Sequence, residues 1–182
     1  MPEPLTTTFT PPAGCTSDVW DGEGYYILGG TRHSTCMPTA FKPDAEPSFF
    51  YSPGLYCPAG YSTACSSSTA IGSETETVIT CCPSRYKCQE RTRSAWDWES
   101  TLGCTSACLT EQPITILLVS SIHTTVCAVG GGVNAYSVQL RYRAADLQIT
   151  SSSISLSTTP ATNSLPTATS TSVSTSTFPA QT

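Results

Sequence analysis

The stretch TVITCCPSRYKC, residues 77–88, places two adjacent cysteines at the end of a strand-like run and a third cysteine six residues later. Successive side chains of a strand point to opposite faces, so the sulfurs of Cys81 and Cys82 diverge. A bond between these neighbours would bring their Cα atoms closer together than disulfides normally allow. We therefore expect Cys81 and Cys82 to have different partners, so that this strand ties together two layers of the fold.

The cysteine content indicates the compartment. The chain has 182 residues and ten cysteines. An even number in a small, loop-rich chain predicts a disulfide framework and an oxidising environment, but sequence cannot select the pairing. The predicted structural disulfides involve Cys15, Cys36, Cys57, Cys65, Cys81, Cys82, Cys88, Cys104, Cys108 and Cys127.

Several strand-like runs predict a mostly β fold, a small disulfide-rich domain with long loops. They are residues 77–82, 114–121, 124–129 and 135–142. Apolar and polar side chains alternate along the last of these, AYSVQLRY, as in a half-buried strand. Its connection to the preceding run, GGGVN, predicts a loose hairpin turn. No long segment has helical periodicity.

The composition changes sharply near residue 149. From residue 150 to 182 no residue is charged, and 20 of these 33 residues are serine or threonine. Such a segment has too few large apolar side chains to fold. We predict a cysteine-rich β ectodomain over residues 1–148 and a disordered Ser/Thr/Pro-rich stalk over residues 149–182. The stalk is expected to carry O-linked glycans, and the alternative is a flexible linker without them.

Charge and hydropathy exclude some partners. The net charge is −5 and 12% of residues are charged, which does not favour a nucleic-acid partner. The N-terminus lacks the basic and apolar regions of a signal peptide. The longest apolar run, residues 114–122, has nine residues, whereas a membrane-spanning helix needs about 20. Membrane attachment is therefore expected only through a helix that this chain does not contain.

Two cysteine-based alternatives are less favoured. Cys104 and Cys108, followed by His123 and Cys127, have a spacing near that of zinc fingers, but a zinc site would leave the other six cysteines unexplained. A nucleophilic cysteine needs a nearby base, and the only other histidine is His33. We expect no metal and no cofactor.

Two pairs of carboxylates suggest a different chemistry. Glu74 and Glu76, and likewise Asp97 and Glu99, are two residues apart and share a face if the chain is extended. Paired carboxylates can act as acid and base in glycoside hydrolysis. A solvated polar edge is the simpler interpretation of each pair.

Aromatic residues are expected mainly to build the core, since a cysteine-rich domain has few large aliphatic side chains. The exception is Trp96 and Trp98, which alternate within a charged segment. We consider them a candidate ligand-stacking pair for a sugar.

Four motifs in order resemble a large group of ascomycete cell-surface proteins: LTTTFTPPAGC, YSPGLYCPAGYSTAC, ETETVITCCPSRYKC and NAYSVQLRY. The resemblance covers about residues 5–147. It implies a cysteine-rich ectodomain, a Ser/Thr-rich stalk, and usually a transmembrane helix after the stalk. Members often lack a cleavable signal peptide. The chain departs from the group at Arg85, where a small residue is common, and in lacking the helix. The resemblance implies no catalytic residues.

Together these patterns predict a non-enzymatic, disulfide-stabilised domain that is anchored at the fungal plasma membrane or secreted. Its expected role is adhesion, wall contact or sensing, with a cell-wall glycan or another surface protein as partner. The alternatives are a secreted effector-like binding protein and a wall-polysaccharide hydrolase.

Overall fold

The computed structural model describes residues 2–22, 24–30, 33–42, 49–89, 102–118 and 121–152. Two β-sheets, one of seven strands and one of three, contain most of the regular secondary structure among these residues. The predicted mostly β, disulfide-rich fold is confirmed. In chain order the elements are a 3₁₀ turn (Ala13–Cys15), β1 (Val19–Asp21), β2 (Tyr26–Leu28), α1 (His33–Cys36), β3 (Tyr61–Ile71), β4 (Glu74–Pro83), β5 (Lys87–Cys88), β6 (Cys104–Ala107), β7 (Gln112–Leu117), β8 (Ile122–Cys127), β9 (Gly132–Ala135), β10 (Val138–Arg143) and α2 (Ala144–Ser152).

The smaller sheet is antiparallel and has the strand order β10-β4-β3. A two-residue turn joins β3 to β4, and Gly72 occupies its first position with φ of +63°. Two-residue hairpin turns favour glycine there because an L side chain would be strained. On the other side of the sheet, Tyr51 exchanges backbone hydrogen bonds with Gln139 and Arg141 and so covers β10.

The larger sheet is mixed, with the order β5-β6-β9-β2-β1-β7-β8. The β9–β2 and β1–β7 pairs are parallel, and the remaining neighbours are antiparallel. Its two edges differ. β5 has two residues, whereas β8 has six.

The two faces of β4 belong to two different hydrophobic cores. Cys81 lies opposite Val138 and Ile79 lies opposite Leu140, and these side chains share one face. The buried residues of the first core are Cys15, Cys36, Met37, Tyr51, Cys81, Val138 and Leu140. Cys82 points the other way, into the second core, whose buried residues are Leu28, Cys82, Cys104, Val133 and Ala135.

All ten cysteines are paired, in the bridges Cys15–Cys36, Cys57–Cys81, Cys65–Cys88, Cys82–Cys104 and Cys108–Cys127. Cys81 and Cys82 have different partners, as strand geometry predicted. Because Cys104 lies in β6, the bridge from Cys82 links the two sheets. The Cys65–Cys88 bridge, between β3 and β5, is a second link.

Two expectations about residues 124–142 are wrong. The predicted single strand over residues 135–142 is two strands, since β9 ends at Ala135 and β10 begins at Val138. Ala135 pairs with Cys104 in the larger sheet, whereas Val138 pairs with Cys81 in the smaller one, so the chain changes sheets between them. The predicted hairpin is also absent from the described residues: part of GGGVN is itself strand β9, and β8 pairs with β7.

The other predicted strands have shifted limits. Residues 77–82 lie within β4, and residues 124–127 lie within β8. The run 114–121 corresponds to β7, which ends at Leu117 because the Leu118 N–H already bonds to the Ser121 carbonyl in a turn. Residues 119 and 120 are outside the described residues.

A short helix follows β10, although the sequence has no clear helical pattern there. The Asp146 carboxylate accepts a hydrogen bond of 2.7 Å from the Arg143 N–H, which caps the start of α2. α2 continues across residue 148, the predicted end of the folded domain. The predicted stalk beyond residue 152 lies outside the described residues. Among the described residues, no helix has the length and apolar character needed to cross a bilayer.

Arg85 lies at a strained position of a turn. The Tyr86 N–H donates to the Pro83 carbonyl at 2.9 Å, which closes a β-turn, and Arg85 occupies its third position with φ of +75°. Only glycine adopts this left-handed conformation without strain. Glycine is therefore the favoured residue at this position, and nothing in the structure explains the exposed arginine side chain.

Replacing Arg85 with glycine is expected to stabilise the domain by about 0.5 to 1 kcal/mol, because the relief of left-handed strain exceeds the entropy cost of glycine. Urea unfolding followed by circular dichroism measures the change. Arg85→Ala is the matched control, since it removes the same charge but keeps the Cβ atom. Equal stability of the two variants would show that the backbone at this position is not strained.

Candidate functional site

A surface pocket of about 440 Å³ lies beside α1 and the turn that follows it. Small-molecule sites in proteins typically enclose roughly 300 to 1,000 Å³. Two aromatic rings, one thioether, three hydroxyl-bearing side chains and two small apolar residues line it: Phe9, Phe41, Met37, Ser34, Thr35, Thr39, Pro38 and Ala40.

The covalent and hydrogen-bonding anchors of this pocket are buried. Cys36, the last residue of α1, is bonded to Cys15. The hydroxyl of Tyr51 lies 3.0 Å from the Pro38 carbonyl oxygen and 3.1 Å from that of Thr39, and it shares its proton between them. The turn that forms one pocket wall is thus attached to the first core.

Ring contacts hold the aromatic wall. Phe41 meets Phe49 edge to face, with 5.8 Å between ring centroids, and meets Tyr136 at 5.6 Å. Phe49 in turn contacts Tyr51 at 5.2 Å. Edge-to-face packing of this kind fixes ring orientation. Phe41 and the turn at Pro38 and Thr39 thus form a wall that is held by packing and hydrogen bonds.

The lining of the pocket is uncharged and combines apolar with hydroxyl-bearing side chains. None of the eight lining residues carries a formal charge. Apolar rings can pack on the C–H faces of a ligand, while Ser34 and Thr39 can exchange hydrogen bonds with its hydroxyl groups. Such a lining suits an uncharged, polyhydroxylated molecule better than a phosphate or a carboxylate.

Burial keeps the hydroxyl of Tyr51, which bonds to the pocket turn, in its neutral form. Burial raises the pKa of Tyr51 above its usual value, and the charge of Glu3 adds to this effect. Burial also raises the pKa of Tyr86 to about 12. Tyr51 therefore keeps the proton that it shares with the pocket turn throughout the physiological pH range.

The carboxylates Glu74 and Glu76 share a face of β4, as predicted, but each faces an arginine of β10. Glu74 Oε2 lies 2.7 Å from Arg143 Nη1, and Glu76 Oε2 lies 3.7 Å from Arg141 Nη1. The Arg141 guanidinium also lies over the Phe50 ring, 3.7 Å from its centroid. These contacts favour a structural role for both carboxylates.

The two ion pairs should differ in their effect on stability. The Glu74–Arg143 pair is exposed, and such pairs contribute about 0 to 1 kcal/mol. Glu76 is buried, so Arg141→Gln is expected to cost about 2 kcal/mol by removing the cation that pairs with its carboxylate. Arg143→Gln is the matched control, and chemical unfolding of both variants measures the difference. Equal losses would contradict this assignment.

The remaining predicted site residues have mixed outcomes. Trp96, Trp98, Asp97 and Glu99 lie outside the described residues, so the stacking pair and the second carboxylate pair stay predictions. The zinc alternative fails because Cys104 bonds to Cys82, while Cys108 bonds to Cys127. Within the described part of the chain, no group of three or more potential ligands could hold a metal ion. The described cysteines are all oxidised, which leaves none of them as a thiol nucleophile.

Sequence reasoning missed the pocket itself. Phe9 lies far from residues 34–41 in the chain, and no spacing rule connects them. The Cys15–Cys36 bridge, which links the segment after Phe9 to α1, could not be assigned from the sequence. Phe9, an aromatic residue between threonines and prolines near the N-terminus, was the only feature of the sequence that pointed to this pocket.

Comparison of the chain with protein-family models, with curated proteins and with solved structures finds no match. The architecture therefore defines the class: this is a mostly β domain stabilised by five disulfides, of the kind found in extracellular and secreted proteins.

Proposed function

We propose that this chain is a non-enzymatic recognition domain, displayed at or released from a fungal cell surface, that contacts neutral cell-wall glycan through the pocket beside α1. The uncharged lining of this pocket, which combines aromatic rings with hydroxyl groups, is the observation that carries the proposal. The motif resemblance to ascomycete surface proteins supports the fungal setting, and the disulfide framework supports an extracellular one.

Sugar chemistry matches the lining of the pocket. A pyranose ring presents C–H groups on its faces and hydroxyl groups around its rim. Phe9 and Phe41 offer apolar surface for the former, and the hydroxyls of Ser34 and Thr39 offer donors and acceptors for the latter. A pocket of about 440 Å³ accommodates one or two sugar residues and not a long chain.

The test is a titration of the exported, disulfide-intact protein with neutral glucan, mannan and chitin oligosaccharides, followed by NMR or calorimetry. Ser34→Arg places a bulky cation in the pocket and should weaken binding at least tenfold. Ser67→Arg is the matched control, because Ser67 is exposed on β3 and does not line the pocket. We expect the control to bind like the unmodified protein.

Three results would overturn the proposal. Cleavage of the oligosaccharides would identify an enzyme and favour the hydrolase alternative. Binding that survives Ser34→Arg unchanged, or no binding to any neutral oligosaccharide, would remove the pocket as a glycan site and favour a protein partner.

A further inference from the structure

Strand β8 forms an uncharged edge of the larger sheet that no other described strand covers. Among the described strands it pairs with β7 alone. Ile122 is 71% exposed and Val126 is 59% exposed, and Thr124 between them is also exposed. An exposed edge strand offers unpaired N–H and C=O groups to another strand, and proteins normally protect such edges.

The usual protecting devices are missing from β8. The strand IHTTVC contains no lysine, arginine, carboxylate or proline. Four of its six residues are β-branched, and these have the highest strand propensity. The opposite edge of the sheet, β5, has two residues and is too short to serve in the same way.

The side chains of β8 are complementary to a second copy of the same strand. A twofold axis perpendicular to the sheet places the two β8 strands side by side and antiparallel, with the same face of each copy on the same side of the joined sheet. Residues that lie opposite each other are therefore both even-numbered or both odd-numbered. An axis through Thr124 then places Ile122 of each copy opposite Val126 of the partner subunit, which gives two identical apolar pairs. Cross-strand pairs of β-branched side chains stabilise antiparallel strands.

Neighbouring registers are poorer. An axis through His123 opposes Ile122 to threonine, and places the two imidazoles against each other. An axis through Thr125 opposes Val126 to threonine. Of these three registers, only the one centred on Thr124 matches apolar with apolar, and it brings no two like formal charges together.

The geometry points to a homodimer in which β8 pairs antiparallel with β8 of a second copy, with the twofold axis at Thr124, so that the larger sheet continues across both subunits. A twofold contact uses β8 of both copies, so no β8 edge is left open and this association closes at the dimer. The dimer is independent of glycan binding. It goes beyond the proposed function by presenting two pockets, which increases avidity for a repetitive surface.

The oligomeric state of the full chain, measured without glycan by sedimentation velocity over a range of concentrations, tests the inference. We expect a reversible monomer–dimer equilibrium. Thr124→Lys opposes two ammonium groups at the axis and should weaken the dimer at least tenfold. Thr115→Lys is the matched control, since Thr115 pairs with Thr124 inside the sheet on the same face and is also exposed. It should leave dimerisation nearly unchanged.

Two substitutions that introduce opposite charges test the register of the proposed dimer. Ile122→Lys alone should weaken the dimer, and adding Val126→Glu to the same chain should restore it, because the two side chains are opposed only between subunits. Within one strand they lie about 13 Å apart, too far for an ion pair.

Three results would overturn the inference. The first is a chain that stays monomeric up to about 1 mM, the weak limit of specific association. The second is equal loss of dimer in Thr124→Lys and Thr115→Lys. The third is failure of Val126→Glu to restore the Ile122→Lys variant, while both variants keep the native circular dichroism spectrum.

Discussion

Replacing Cys82 and Cys104 together with alanine is expected to destabilise the domain by about 4 to 5 kcal/mol, a large part of the stability of a typical domain. Loss of the closed loop, with a sequence separation of 22, accounts for about 3 kcal/mol through the entropy of the unfolded chain. The remainder comes from packing. Both residues are fully buried, and they are two of the five buried residues of the second core.

The matched control is Cys65→Ala with Cys88→Ala. Its sequence separation is 23, so the chain-entropy contribution is nearly the same, but Cys65 is exposed and lies outside both cores. We expect a loss of about 3 kcal/mol or less for this variant. Urea unfolding and the yield of exported protein measure both. If the two variants unfolded at the same urea concentration, burial of the Cys82–Cys104 bridge would add nothing to its effect.

The second large effect is expected at Tyr51. Tyr51→Ala should cost about 3 to 5 kcal/mol, because the ring is almost completely buried in the first core and its removal leaves a cavity. The substitution also removes the contact with the Phe49 ring and the anchor of the pocket turn at Pro38 and Thr39. Thermal or chemical unfolding gives the magnitude.

Tyr51→Phe separates packing from hydrogen bonding. It keeps the ring and removes the hydroxyl, so we expect a loss of about 1 kcal/mol. The hydroxyl holds the turn that lines the pocket. This variant should therefore also bind oligosaccharide more weakly than the unmodified protein under conditions in which both are fully folded. A Tyr51→Phe variant as unstable as Tyr51→Ala would show that the two hydrogen bonds, and not the ring, dominate at this position.

The predictions that succeeded depend on geometry within one strand. The different partners of Cys81 and Cys82 follow from the alternation of side chains along β4, whatever surrounds it. The common face of Glu74 and Glu76 follows from the same rule. Their arginine partners could not be predicted, because Arg141 and Arg143 come from β10 and depend on its register against β4.

The predictions that failed depended on which of the two sheets each segment joins. AYSVQLRY alternates like a single strand, yet the chain leaves the larger sheet after Ala135 and enters the smaller one at Val138. The buried positions change parity at the break, from Val133 and Ala135 in β9 to Val138 and Leu140 in β10, and the alternation of residue types in AYSVQLRY does not show this change. Similarly, GGGVN has the composition of a turn, but its last residues pair with β6 and β2, which are distant in sequence.

The class of the domain could be inferred from amino-acid composition and short-range pattern: an oxidised, mostly β, cysteine-rich chain. The same pattern placed the sulfurs of Cys81 and Cys82 on opposite faces of one strand. These properties rest on backbone geometry and on residue counts, which are local. The pairing of the cysteines, the division into two cores, the pocket that joins Phe9 to α1 and the free edge at β8 all depend on contacts between distant segments. Many pairings satisfy the same local rules, so only the packing of the folded chain selects among them.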